Sequence, residues 1–195
     1  MLIAFEGPDN VGKSTSAMNL THDGRSIYNA TIANYHEARQ DLIDSQETDL
    51  VVCFDRIDWF SHMVYRLALP GREWNDVRPR TVFAMPDTHL VVKLHHPDLA
   101  NFTADEIVDT PIAQVNPMYR DQAEFLAAIN KSRGYNLFKT VSIIEVLHDQ
   151  QTGSYSQHLV MFDSPVFQWG AAAARMVDSD ERLLELLQYD EQQRV

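Results

Sequence analysis

Short apolar runs separated by amphipathic stretches organise this chain. Residues 2–6 form an apolar run closed by Gly7 and read as a strand buried on both faces. Residues 50–54 (Leu-Val-Val-Cys-Phe) and 89–94 read the same way. Helical spacing covers 13–20, stopped by Asp23 and Gly24, and 34–46, where Tyr35, Ala38, Leu42 and Ile43 are in phase. It covers 57–69 as well, stopped by Pro70 and Gly71. A short strand is expected at 26–32 and a helical stretch at 77–85. Residues 98–116 show no strong period, and Pro111 and Pro117 punctuate the region. A helix is expected at 118–132 with Phe125, Leu126 and Ile129 inward, Tyr119 and Phe125 packing it on a sheet. Residues 140–147 and 157–162 flank 149–156 as a hairpin-like pair. Helices at 165–176 and 180–189 precede a polar tail.

Strands alternating with helices imply an α/β fold with a mainly parallel sheet covered on both faces, the C-terminal pair being antiparallel. The chain reads as one domain over 1–195, with 97–118 as a candidate lid. Its 195 residues suffice for a sizeable core, and 45% hydrophobic with 23% charged residues is ordinary for a soluble fold. The formal net charge of -12 argues against a protein that grips nucleic acid mainly by phosphate neutralisation, without barring a small anionic substrate. One cysteine, Cys53, cannot form an internal disulfide, which fits a reducing, cytoplasmic location. No targeting signal is visible, and no apolar run reaches the roughly 18 residues that span a bilayer. A homodimer is left open.

Residues 7–14, Gly7-Pro8-Asp9-Asn10-Val11-Gly12-Lys13-Ser14, fit G-x-x-x-x-G-K-[ST], a phosphate-binding loop. Glycines let the backbone turn so that successive amides point at phosphate oxygens, and the following helix adds the positive end of its dipole. Lys13 can reach the transferring phosphate, and the Ser14 hydroxyl can sit on Mg2+. The loop follows a predicted buried strand and opens a predicted helix, which is its proper setting. The fold class is therefore a P-loop NTPase-type three-layer sandwich, with ATP and Mg2+ as the expected cofactors. The expected ATP-binding set is Gly7, Pro8, Asp9, Asn10, Val11, Gly12, Lys13, Ser14 and Thr15.

No Asn-Lys-x-Asp base reader of guanine-specific GTPases is present, since 130–133 reads Asn-Lys-Ser-Arg. The second chemical site is Asp55-Arg56, directly after the run 50–54 and therefore at a strand's carboxyl end beside the loop. There an arginine can grip an acceptor phosphate, and an aspartate can position Mg2+ or the attacking oxygen. Lys13, Asp55 and Arg56 are the candidate catalytic residues; Ser14 and Asp55 are the candidate metal ligands.

At this point the chain resembles the thymidylate kinase family. Phe5-Glu6 with the loop and Thr15 resembles that family's strand and loop, including an acidic residue at Asp9. Asp55-Arg56 matches its Asp-Arg motif, the Trp59–Tyr65 stretch with Ser61 resembles the continuation, and Pro86-Asp87 precedes a strand as in the family. The resemblance covers about the first half of the chain. It implies that Asp9 contacts the acceptor sugar, that Arg56 holds the acceptor phosphate, and that Trp59 or Phe60, with Tyr65 nearby, walls the base. The chain departs from the family in three ways. It has no Arg-Glu-Pro-Gly segment between 26 and 50, Asn10 stands where some members carry a catalytic arginine, and 97–118 contains no Lys or Arg. Arg120, Arg72, Arg78 and Arg80 are the arginines left to replace a lid cation. The expected function is transfer of the ATP γ-phosphate to a deoxynucleoside monophosphate, dTMP first. The alternatives are a kinase for a nucleoside, modified nucleotide or DNA hydroxyl, and a non-catalytic nucleotide-binding regulator. His95, His96 and Asp98 do not match structural zinc spacing.

Overall fold

The structure is a computed structural model that describes residues 1–21, 23–24, 26–45, 50–74, 81–97, 104–105, 110–133, 136–148, 155–166 and 177–194. Strand β1 (Leu2–Glu6) is buried at every position because it lies in mid-sheet, paired in parallel with β3 (Val52–Ile57) on one side and β4 (Met85–His95) on the other. Beyond β3 lies β2 (Ile27–Ala30); beyond β4 lie β7 (Phe138–His148) and then β8 (Tyr155–Asp163). All neighbours run parallel except β7 and β8, the antiparallel pair expected at the C-terminus. Strands β5 (Ala104–Asp105) and β6 (Thr110–Pro111) form a separate two-residue ladder.

Alternation along β1 divides the core. Leu2 and Ala4 face one side, where they join Phe54, Ile57 and Leu90 with residues of α2 (Ile32–Ser45), α3 (Asp58–Ala68) and α4 (Ile112–Arg133). Ile3 and Phe5 face the other, against Ala17 and Leu20 of α1 (Lys13–Leu20) and Leu183, Leu186 and Leu187 of α5 (Asp180–Gln192). The result is a three-layer α/β sandwich of the P-loop type. Cys53 is fully buried between the sheet and α1, and burial pushes its thiol up to about 11, so it is core rather than a reactive thiol. Among the described residues no helix is long and apolar enough to cross a membrane.

Several boundaries differ from the sequence reading. β3 runs through Asp55, Arg56 and Ile57 because their backbones still pair with Phe5, Tyr28 and Ala30. Ladder bonds hold a strand whatever the side chains are, and an apolar run cannot report them. Met85 opens β4 instead of closing a helix, 81–84 carry no regular structure, and 75–80 lie outside the described residues. α4 starts at Ile112 and passes through Pro117, so the expected start at 118 is late. Phe125 is 57% exposed on α4, whereas Tyr119 and Leu126 are buried, which corrects the expected inner face. The helix expected at 165–176 falls mainly outside the described residues.

Candidate active site

Residues 7–12, the expected phosphate loop, bridge β1 and α1. Gly7 has φ +138°, and a Cβ there would come within 1.9 Å of the Lys93 backbone carbonyl oxygen, so only glycine fits. Gly12 is left-handed (φ +75°) and caps α1 without any side-chain bond, and α1 has no acidic residue in its first turn. Its first amides and dipole are therefore left for an anion. Asn10 also sits at positive φ (63°), which asparagine tolerates better than most residues.

Lys13 is buried, and its Nζ donates to the Pro8 carbonyl inside the loop. Burial and the Arg56 charge pull its ammonium down to about 8, against the pull of Glu6, Asp9 and Asp55. Ser14 Oγ donates to Asp55 Oδ2 at 2.6 Å, while Asp55 Oδ1 is buried with no hydrogen-bond partner. An orphaned carboxylate oxygen beside a serine hydroxyl is an oxygen-only donor set, which suits Mg2+.

Arg56 occupies a strained backbone position (φ +81°) at the end of β3. Its Nη2 lies 2.5 Å from Asp9 Oδ1, and the pair is largely buried, at 8% and 15% side-chain exposure. Nη1 donates to the Gly7 carbonyl at 3.3 Å and lies 3.4 Å from both Ser61 Oγ and Tyr119 OH. Glu6, fully buried at the end of β1, accepts from Ile57 N at 2.5 Å and from Ser61 Oγ at 2.8 Å. Desolvation lifts its carboxyl to about 7, although Arg56, these two bonds and Lys13 all favour the charged form.

Asp9, Asn10, Gly12, Lys13, Ser14, Thr15, Asp55 and Arg56 share one cavity of about 520 Å³. Val11 is fully buried, which leaves only its backbone for the loop's work. Trp59, Phe60 and Tyr65 do not line that cavity. They are at most 4% exposed and pack against one another and their neighbours, Trp59 on Phe138 (6.2 Å between ring centroids), Phe60 and Tyr65 on Tyr119 (6.0 and 6.1 Å). The aromatics at the cavity are Tyr28 on β2 and Tyr155 on β8, 65% and 60% exposed. Sequence reasoning missed both, because nothing local brings either strand edge to the loop.

It also missed the loop's supports. His95 Nε2 lies 2.8 Å from the Asp9 carbonyl, and the Asn116 side chain bonds both the N–H and C=O of His95 (3.1 and 2.8 Å). His96 lies beside His158, and among the described residues no group of three or more His, Cys, Asp or Glu is placed to hold a metal ion. Lys93 is a buried ammonium behind the loop; its one sequence signal is a lysine inside an apolar strand. Of the arginines left to replace a lid cation, Arg120 pairs with Glu145 and Arg72 lies over the Trp74 ring at 5.1 Å. Arg78 and Arg80 lie outside the described residues, as do 98–103 and 106–109 of the candidate lid, whose last residues, 112–118, belong to α4.

No protein-family model and no curated protein matches this chain. Among solved structures it is similar to the thymidylate kinase of Ehrlichia chaffeensis, with 15% identity over 77% of this chain and 89% of that one and a TM-score of 0.30, a likeness too slight to assign a substrate.

Proposed function

We propose that this protein is an ATP-dependent phosphotransferase that moves the γ-phosphoryl group to a deoxynucleoside monophosphate, dTMP first. One observation carries the reading: the phosphate loop, the Ser14–Asp55 pair and the buried Arg56 open into a single cavity. The loop amides and Lys13 hold the donor phosphates, and Ser14 with Asp55 holds Mg2+, which when bound neutralises charge on the phosphate oxygens. Arg56 takes the acceptor phosphate in exchange for the Asp9 carboxylate, which is then released toward the acceptor sugar. Tyr28 offers a planar wall for the base from the open side of the site. Such an acceptor is already an anion, so the site's work is positioning and charge stabilisation rather than deprotonation.

A hydroxyl acceptor is the second reading, favoured by the absence of an Arg-Glu-Pro-Gly segment between 26 and 50 and of any Lys or Arg in 97–118. ADP release with ATP and Mg2+, measured across nucleoside monophosphates, nucleosides and DNA, separates the two. Turnover on dTMP that falls about 10³-fold or more in Lys13→Ala supports the first reading. Silence on every monophosphate with turnover on nucleosides or DNA supports the second. ATP binding without any acceptor-dependent ADP release would leave a nucleotide-binding regulator.

A further inference from the structure

Lys93 is 4% exposed in the middle of a parallel sheet, where an apolar side chain of similar length would avoid the cost of burying an ammonium. Its surroundings are specific. Nζ donates to Ser16 Oγ at 2.6 Å, and that hydroxyl donates onward to Asp180 Oδ1 at 2.8 Å, which lies 3.6 Å from Nζ. Ser16 is in the first turn of α1, and its N–H bonds the Gly12 carbonyl at 3.0 Å. Lys93 meets both glycines of the loop. Its backbone carbonyl closes on Gly7, and its Nζ lies 3.9 Å from where a Gly12 Cβ would stand. A second cavity, of about 360 Å³, runs outside the loop and is lined in part by Gly12, Thr15, Ser16, Lys93 and Asp180.

We propose that Lys93 is a positioning residue of the phosphate loop, forming its floor and placing a second cation behind Gly12 that strengthens the hold on the donor's phosphates. This rests on the reading of residues 7–14 as a nucleotide phosphate site. The charge is aimed by its partners. Asp180 draws it from the α5 side, Ser16 sits between the two, and Nζ is held 3.9 Å from where a Gly12 Cβ would stand. In a chain whose segment 97–118 carries no Lys or Arg, a cation from β4 supplies from beneath part of what a lid would supply from above. The effect must grow with the number of donor phosphate charges, because the interaction is Coulombic and acts through partly desolvated protein.

The test is calorimetric binding of Mg·ATP and Mg·ADP to the wild type, Lys93→Met, Lys93→Arg and the double variant Lys93→Met/Asp180→Asn, with melting temperatures alongside. Lys93→Met should weaken ATP about 30-fold and ADP about 10-fold, while Lys93→Arg stays within about 3-fold of the wild type. The double variant removes the carboxylate that Lys93→Met strands, so it should recover the melting temperature but not the ATP affinity. Equal losses for ATP and ADP, wild-type affinity in Lys93→Met, or affinity restored in the double variant would each reduce Lys93 to a packing element and overturn the proposal. Failure of the wild type itself to bind ATP would instead overturn the phosphate-loop reading beneath it.

Discussion

The two ends of the sheet carry similar residues and do opposite things with them. At the carboxyl end of the strands, Lys13, Arg56, Asp55 and Asp9 line an open cavity, and Asp55 Oδ1 has no partner. At the amino end, a larger cavity of about 690 Å³ is lined in part by Met1, Arg39, Asp87, Lys139 and Glu191, and there the charges have met one another. The Met1 ammonium donates to Leu50 O at 2.6 Å, and His89 bridges Thr140 Oγ1 (2.8 Å) and Glu191 Oε1 (3.0 Å). Lys139 reaches the same Glu191 oxygen at 2.5 Å. A carboxylate can only accept, so His89 donates from Nε2 and takes the Thr140 hydroxyl at Nδ1. Arg–Asp pairs at the two ends share a separation of 2.5 Å, yet Arg56–Asp9 is buried and Arg39–Asp87 is 47% and 42% exposed. Equal length does not mean equal worth, since water screens one pair and not the other. The unmatched Asp55 oxygen belongs to a residue that lines a cavity, whereas the matched charges at the other end form a joint that holds α5 to β4.

The comparison breaks first at Gly7. Gly7→Ala drives a Cβ into the backbone of Lys93, and stability should fall by about 4 kcal/mol or more in urea unfolding. Gly24, also at positive φ but with nothing within 4 Å of a Cβ, should lose only about 1 kcal/mol as alanine. Similar losses in the two variants would deny the close approach.

Glu6→Gln tests the sign of the pH response at the loop end. Glu6 titrates near 4.5 unfolded and about 7 folded, so the native state holds the proton more tightly and wild-type stability falls as pH rises between those values. Chemical denaturation of the glutamine variant should lack that decline, which is about 3 kcal/mol in full. A parallel pH profile for the two proteins would show that Glu6 is ionised in the fold throughout.

The amino end should answer with the opposite sign, and with a smaller amplitude because the Glu191 side chain is 30% exposed and water screens part of its interactions. Desolvation works against the charge on Glu191, but the bonds from His89 and Lys139 outweigh it and hold the carboxyl down at about 2. The stability it contributes is present above about 4.5 and lost as pH falls toward 2; His89, lowered by burial, adds to the acid loss. Glu191→Gln should flatten this acid limb while leaving ATP binding alone, which circular dichroism and calorimetry can follow. The smallest effect belongs to Arg39→Ala, whose melting temperature should match the wild type within error, because its pair with Asp87 stands in water.

The turn at residues 7–14 was legible in the sequence because a glycine-bearing strand-to-helix loop is a local device. Two glycines at fixed spacing, a lysine and a serine stand together within one short stretch of chain, so their order is their geometry. The buried strands were legible for a similar reason, since an apolar run long enough for one strand has few other places to go. Arg56 was legible as a residue but not as a conformation, as its positive φ and its grip on Asp9 depend on β1 lying beside β3. Trp59, Phe60 and Tyr65 show the limit most plainly. An aromatic in a helix after a strand has one pattern whether it faces a ligand or Tyr119 and Phe138, and packing decided for the latter.

What the sequence determined by itself is the three-layer α/β frame and the form of one glycine-bearing loop, both set by local spacing. Tertiary structure alone decided which distant groups meet that loop: Lys93 and His95 from β4, Asp180 from α5, Tyr28 and Tyr155 from the two outer strands. The physical reason is that charge and hydrogen bonding act through space over a few ångströms, while strand order brings together residues up to 164 positions apart in the chain.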